Sequence, residues 1–222
     1  MKPLLHQLVA KTVVGVARLA TGARARWEGC GPSAEQRIYF ANHASHGDFV
    51  LIWTVLPPDL RENTRPVAGA DYWCKGAIRR FLGQDVFNGV LIDRDLKALP
   101  ANLRGDPLGP IRDAVQGGHS LIIFPEGTRN TSGQPLQPFK SGLYYLAAAF
   151  PKVAMVPSWI ENVGRVMPKG EFLPIPLLCS VTFGTPLQLG ANEHKSAFLT
   201  RAETALLALA PKRTTTPDAG PA

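Results

Sequence analysis

The stretch Arg37–Asp48, RIYFANHASHGD, carries the strongest fold signal in this chain. A short apolar run, Arg37–Ala41, gives way at once to polar residues, as at the end of a buried strand in an α/β domain. Just beyond that end, His43 and Asp48 stand close together in sequence. A histidine whose ring is oriented by a carboxylate can take a proton from an alcohol at neutral pH. The stretch therefore predicts a strand followed by a loop that holds a base.

A second stretch of the same kind reads FPEGTR at Phe124–Arg129 and follows the apolar run Leu121–Phe124. It offers backbone donors, a hydroxyl and a guanidinium, which are the groups that bind a phosphate. If the two strands are neighbours, the sequence predicts a base beside an anion-binding site.

The alternation of short apolar runs with helical patterns predicts one α/β domain, with a central mixed, mostly parallel sheet of about seven strands flanked by helices. The predicted strands are Ala25–Gly29, Arg37–Ala41, Arg65–Gly69, Val86–Ile92, Ser120–Phe124, Val153–Trp159 and Leu177–Phe183. The predicted helices are Phe49–Leu56, Cys74–Phe81, Leu108–Gln116, Ser141–Phe150 and Glu193–Ala210. Ligands of such sheets bind where strands end, so we expect the motifs Asn42–Asp48, Asp93–Asp95 and Glu126–Arg129 to face one pocket.

Composition narrows the class of partner. The 222 residues carry a net charge of +7, yet only 18% are charged and 45% are hydrophobic. That balance excludes a polybasic nucleic-acid arm on a disordered chain and indicates a globular domain that prefers anionic partners.

The N-terminal segment 1–24 is predicted to be an amphipathic, membrane-associating helix, because its leucines and valines recur at helical spacing. Lys11 and Arg18 interrupt it well short of the roughly 20 apolar residues that a membrane span needs. Lying in a membrane interface and packing on the domain both fit this pattern, and an organellar targeting peptide is a further alternative. We expect the domain proper to cover 25–211 and the Thr- and Pro-rich segment 212–222 to be disordered.

Four short motifs occur in a fixed order: NHASHGD at Asn42–Asp48, GVLIDR at Gly89–Arg94, FPEGTR at Phe124–Arg129, and Val156-Pro157. With these motifs the chain resembles the glycerophospholipid acyltransferase family, typified by bacterial lysophosphatidic acid acyltransferases. The resemblance covers roughly Arg37–Phe183, and the first and third motifs together are highly specific.

The resemblance implies a role for each residue of the first motif pair. His43 would be the general base that deprotonates the acceptor hydroxyl, and Asp48 would hold the ring tautomer and stabilise the imidazolium.

The remaining site residues would recognise the acceptor. Arg94 and Arg129 would bind its phosphate, assisted by Thr128 and by the backbone at Gly127. Glu126 would order one of the two arginines, and a direct hydrogen bond to glycerol is the competing role.

The implied reaction is O-acyl transfer from an acyl thioester, acyl-CoA or acyl carrier protein, to a lysophospholipid, above all lysophosphatidic acid. The thioester is a substrate, so no resident cofactor and no metal are expected. The expected location is the cytoplasmic face of a membrane, peripheral or monotopic, on an anionic lipid surface. Nucleic acid is not an expected partner.

Other chemistries use the same residues. A hydrolase would use His43 and Asp48 with water in place of a lipid alcohol, and a membrane-binding protein could keep the fold without catalysis. Ser45 is not expected to be a nucleophile, because the chain has no G-x-S-x-G motif. His46 is not expected to bind a metal, because no further cluster of ligand residues supports such a site.

The basic, aromatic segment Tyr72–Phe81 fits either a membrane boundary or a solvated helix face.

Overall fold

The computed structural model describes residues 4–45, 47–92, 106, 108–161 and 179–211. The strands are β1 (Arg24–Trp27), β2 (Arg37–Ala41), β3 (Thr64–Gly69), β4 (Val90–Ile92), β5 (Ser120–Ile123), β6 (Ala154–Glu161) and β7 (Ser180–Phe183). The α-helices are α1 (Leu4–Thr21), α2 (Asp48–Val55), α3 (Pro58–Glu62), α4 (Ala70–Trp73), α5 (Ala77–Arg80), α6 (Gly109–Gln116), α7 (Gly142–Ala149) and α8 (Lys195–Leu207), and Phe81–Val86 is a π-helix.

The strands form one sheet of seven in the order β1-β7-β6-β2-β5-β3-β4. Neighbours are parallel except β6 and β7, which are antiparallel. The prediction of a mixed, mostly parallel sheet flanked by helices is confirmed.

Strand β2 lies in the middle of the sheet and is buried along its whole length. Its side chains alternate between two cores, as the pleat requires. Ile38 and Phe40 pack with α6, α7 and α8 on one face, whereas Tyr39 and Ala41 pack with α1 and α2 on the other. A strand covered on both faces reads as a continuous apolar run, which is why the sequence signal at β2 is strong.

The carboxyl ends of β2, β3, β4, β5 and β6 meet at one edge, because these five strands run in the same direction. In the register of β2 and β5, Phe40 lies opposite Ile123. The loop that follows β2 and the loop that follows β5 therefore leave the sheet side by side.

The predicted strand Val86–Ile92 is wrong in its first half. Val86 ends a π-helix, and β4 begins only at Val90. Asn88 has a positive φ of 52°, and the N–H of Gly89 donates to the carbonyl of Gly83 at 2.7 Å, so the chain turns back before the strand starts. The apolar character of this run comes from the burial of Val86 and Phe87 in the core rather than from strand pairing.

The predicted helix Cys74–Phe81 starts too early. Gly76 has φ +88°, a left-handed conformation that breaks the chain between α4 and α5. Helix α3, which begins at Pro58, was not predicted either, since five residues are too few to show helical periodicity.

Helix α1 packs on the domain and still presents apolar side chains to the outside. Val14 is buried, and Val9, Ala10 and Val13 contact the core. The outward face carries exposed apolar residues: Leu4, Leu5, Leu8, Val16 and Leu19. None of the helices in the described ranges is both long and apolar enough to cross a bilayer.

Some predicted features lie outside the described residues. These are the motif Asp93–Asp95, the start of the predicted last strand before Cys179, and the predicted tail from Lys212.

Candidate active site

The loop between β2 and α2 brings His43 against Asp48. The Nδ1 atom of His43 lies 2.8 Å from Oδ2 of Asp48, and the Asp48 side chain is almost fully buried. The same Oδ2 accepts the backbone N–H groups of Ala44 at 2.6 Å and Ser45 at 2.8 Å. Asp48 is also the first residue of α2, where the helix dipole favours a negative charge. The short loop is thus folded around one carboxylate oxygen.

These contacts fix the tautomer of His43. A carboxylate oxygen is an acceptor, so Nδ1 carries the proton and Nε2 keeps its lone pair. The imidazole stacks on the ring of Phe124, with 4.2 Å between centroids and 18° between planes. The contact at Nδ1 and the stack on Phe124 therefore hold the ring in one orientation.

The loop is anchored to its neighbours through the main chain. The side-chain amide of Asn42 donates to the carbonyl of Ile160 at 3.0 Å and accepts its N–H at 2.7 Å, which extends the pairing of β2 with β6. The N–H of Asn130 donates to the carbonyl of His43 at 2.7 Å. The first and third sequence motifs are therefore joined directly.

A polar cavity of about 270 Å³ opens on one side of His43. It brings together three of the predicted site residues, His43, Thr128 and Arg129. The rest of its wall comes from Phe49, Val67, Ala68, Gly69, Asp71, Tyr72, Trp73 and Phe124. Arg129 and Thr128 are exposed, so their polar groups are available to a ligand in this cavity.

A second, apolar cavity of about 200 Å³ also borders His43. Its wall is made by side chains from β3–β5, α6 and α7: Val67, Ile92, Leu108, Ile111, Ile123, Phe124, Pro125, Leu143 and Leu146, with Gly127, Lys140 and Gly142. Phe124 and Val67 line both cavities. His43 thus borders both a polar and an apolar cavity.

Two predicted residues have surroundings that differ from the expected ones. Gly127 has φ +73°, as its glycine allows, but it lies in the wall of the apolar cavity. Glu126 is 1% exposed, and its carboxylate accepts the N–H groups of His43 and Gln137, each at 2.8 Å. The sequence predicted that Glu126 orders an arginine, but neither of these two contacts is with an arginine. Arg94 lies outside the described residues.

Burial raises the pKa of Glu126 above its usual value, while the hydrogen bonds from Gln137 and His43 act in the opposite direction. Within the described ranges, no group of three or more His, Cys, Asp and Glu side chains is placed to hold a metal ion.

Sequence reasoning missed several contributors to this site. Phe124 was treated as the end of a strand, although it stacks on the base. Asp71 and Tyr72 come from a helical turn too short to recognise. Gln137 contributes only its backbone N–H, so its side chain gives no signal in the sequence.

The fold and the motifs have known counterparts. A profile of the acyltransferase family matches residues 26–161. A 1-acyl-sn-glycerol-3-phosphate acyltransferase of Limnanthes douglasii is 27% identical over 191 residues, covering 84% of this chain and 63% of the relative. Its counterpart in Cocos nucifera is 30% identical over 155 residues, covering 64% of this chain and 45% of the relative. The chain thus spans less than two thirds of the length of these curated relatives.

A solved structure shares the architecture. The 1-acyl-sn-glycerophosphate acyltransferase of Thermotoga maritima superposes with a TM-score of 0.68 at 20% identity, covering 91% of this chain and 79% of that one. At this identity the likeness establishes the fold. Because the family profile spans more than half of the 222 residues and includes the His43 and Arg129 motifs, the chain belongs to the acyltransferase family.

Proposed function

We propose that this chain is an O-acyltransferase that moves a fatty acyl group from an acyl thioester to the free hydroxyl of a lysophospholipid. Lysophosphatidic acid is the proposed acceptor and phosphatidic acid the product. One observation carries the proposal: His43 lines both a polar cavity that contains Arg129 and an apolar cavity. An acceptor headgroup in one cavity and an acyl chain in the other would therefore both lie next to His43.

In the proposed reaction, Nε2 of His43 takes the proton of the acceptor hydroxyl as its oxygen attacks the thioester carbonyl. Asp48 stabilises the imidazolium that forms, through the contact at Nδ1. The tetrahedral intermediate then collapses, the C–S bond breaks, and the proton on Nε2 passes to the departing sulfur. The base is regenerated, and no acyl-enzyme is formed.

Arg129 supplies the charge for the acceptor phosphate. A guanidinium can form two parallel hydrogen bonds to phosphate oxygens, and the Thr128 hydroxyl can add another. Arg94 is proposed to join them from the second motif. Thr128 and Arg129 come directly after the tight turn at the end of β5, in which the N–H of Gly127 donates to the carbonyl of Phe124 at 3.0 Å.

The apolar cavity is proposed to hold the start of the acyl chain. Its leucine and isoleucine walls favour burial of methylene groups, each worth about 0.8 kcal/mol. Acyl-CoA and acyl carrier protein are both anionic donors that suit a chain of net charge +7. The thioester is consumed as a substrate, so the proposal includes no resident cofactor.

The outward face of α1 is proposed to lie in an anionic membrane surface, on the cytoplasmic side. Leu4, Leu5 and Leu8 are 82%, 61% and 62% exposed. Exposed leucines beside Lys11 and Arg18 are typical of helices that rest in the headgroup region. A lysolipid acceptor would reach the site from that surface.

The test is an assay of the purified chain with a long-chain acyl-CoA and lysophosphatidic acid in anionic vesicles, with products resolved by mass spectrometry. Transfer yields phosphatidic acid and free CoA in equal amounts. Free fatty acid without phosphatidic acid would instead establish a hydrolase that uses His43 and Asp48, and no turnover with vesicle binding would establish a non-catalytic membrane protein.

A further inference from the structure

We propose that Glu126 is a positioning residue for His43, and that it does not bind the acceptor. Its buried carboxylate holds the main chain of the base in place. This inference rests on the proposed function, since it assigns to Glu126 a part in presenting the base.

The carboxylate joins two separate loops. Oε1 accepts the N–H of His43, in the loop after β2, and Oε2 accepts the N–H of Gln137, in the segment before α7, both at 2.8 Å. Hydrogen bonds from N–H groups to a carboxylate are about twice as strong as those between neutral groups. Glu126 therefore connects the loop between β2 and α2 to the segment before α7.

Only a carboxylate makes both contacts. Each oxygen faces an N–H donor, so a glutamine would accept one of them and place its NH₂ group against the other. Glu126 is 1% exposed, and a buried donor left without a partner destabilises the fold. A neutral side chain of the same shape is thus a poor replacement.

These contacts complete the restraint on His43. Glu126 holds its N–H, the N–H of Asn130 holds its carbonyl, and Asp48 holds Nδ1 of the ring. A shift of about 1 Å in a catalytic group can lower a rate about 100-fold. Loss of the Glu126 contact is expected to act through such a shift.

A direct contact with the acceptor does not fit this geometry. Glu126 is absent from the described residues that line the polar and apolar cavities around His43. Glu126 is also 1% exposed, so a glycerol hydroxyl could reach its carboxylate only if the loops that cover it moved.

The experiment compares Glu126→Gln with Glu203→Gln as a matched control. Glu203 also accepts a backbone N–H from the same segment, that of Phe139 at 2.8 Å. Glu203→Gln therefore removes the carboxylate charge from a similar backbone contact, keeps one acceptor oxygen and does not touch His43. For each variant, kcat and KM for lysophosphatidic acid are measured, together with the NMR signal of the His43 Nδ1–H proton.

We expect Glu126→Gln to lower kcat about 100-fold with KM changed less than about threefold, and to shift the His43 signal. Glu203→Gln should change neither. An increase in KM with kcat retained would overturn the inference, because it would show that Glu126 binds the acceptor. An unchanged His43 signal in Glu126→Gln would also overturn it.

If Glu126→Gln does not fold, Glu126→Asp supplies the same comparison, since it keeps the charge but is too short to span both donors. The NMR signal is independent of turnover. If the wild-type chain had no transferase activity, that result would count against the proposed function. The NMR signal of His43 in the Glu126 variant would still show whether Glu126 positions His43.

Discussion

His43 and Arg129 line the same polar cavity, although one follows β2 and the other follows β5. The reason is the sheet topology: β2 and β5 are adjacent and parallel, so their carboxyl ends deliver both loops to one edge. The N–H of Asn130, next to Arg129, donates to the carbonyl of His43 and fixes the two loops together. The imidazole and the guanidinium thus border one cavity, as the proposed function requires.

Arg129→Ala is expected to weaken acceptor binding. Charge-assisted hydrogen bonds contribute about 1.5–3 kcal/mol, so the KM for lysophosphatidic acid should rise about 10- to 100-fold, and kcat should change less. Steady-state kinetics against the acceptor measure this effect, with Lys152→Ala as a control that removes an exposed cation between α7 and β6. An unchanged KM in Arg129→Ala would contradict the phosphate role.

Asp48→Asn is expected to lower kcat about 100- to 10,000-fold, because a neutral amide cannot stabilise the imidazolium of His43 and its NH₂ group can select the wrong tautomer of the ring. The variant should also melt at a lower temperature, since a neutral oxygen accepts the N–H groups of Ala44 and Ser45 more weakly than a carboxylate does. Asp113→Asn, on the exposed side of α6, is the control. Retention of wild-type kcat in a folded Asp48→Asn protein would rule out the pair as the catalytic unit.

Gly142→Leu is expected to shift the donor preference toward shorter acyl chains. Gly142 lines the apolar cavity at the start of α7, and a Cβ there would meet only Leu108 Cδ2, at 3.8 Å. The added side chain therefore has room to enter the cavity, and a helix tolerates leucine better than glycine.

Competition between acyl-CoA donors of different lengths measures this preference. Gly142→Ala, which adds a single methyl group, should give a smaller shift in the same direction. An identical chain-length profile in all three proteins would show that the acyl chain does not occupy this cavity.

Replacing Leu4, Leu5 and Leu8 together by serine is expected to reduce binding to anionic vesicles. Burying a leucine side chain is worth about 1.5–3 kcal/mol, so the loss of three should reduce the partition coefficient at least about 10-fold. Sedimentation with vesicles measures the bound fraction, and binding should also weaken as salt is raised. Leu207→Ser, at an exposed leucine of α8, is the control. Equal sedimentation of the triple variant and the wild type would remove α1 from the membrane contact.

The sequence predicted those parts of the molecule where local pattern and tertiary burial agree. Strand β2 was predicted with its observed limits, because burial on both faces makes its apolar run continuous. Gly76 and Asn88, by contrast, have a positive φ because the chain turns at these positions between packed elements. The spacing of apolar residues in the sequence does not indicate such turns. The predictions for Cys74–Phe81 and Val86–Ile92 were displaced for that reason.

At the site, the sequence motifs predicted that His43, Thr128 and Arg129 would face one pocket, but not what each predicted site residue contacts. Glu126 was expected to face an arginine, whereas its carboxylate accepts backbone N–H groups from two loops. Every residue except proline has a backbone N–H, so the partners of a buried carboxylate cannot be recognised from side-chain identities. Phe124 was missed because an aromatic residue at the end of a strand is common, and only its stack on His43 distinguishes it.

The most direct test of the account is the rate of phosphatidic acid formation by His43→Ala, measured with acyl-CoA and lysophosphatidic acid after circular dichroism has shown that the variant is folded. General-base catalysis typically contributes about 100- to 10,000-fold, so the rate should fall at least about 100-fold. The fraction of the protein that binds to vesicles should stay at the wild-type level. Phosphatidic acid formation at the wild-type rate in the folded variant would contradict the assignment of His43 as the base.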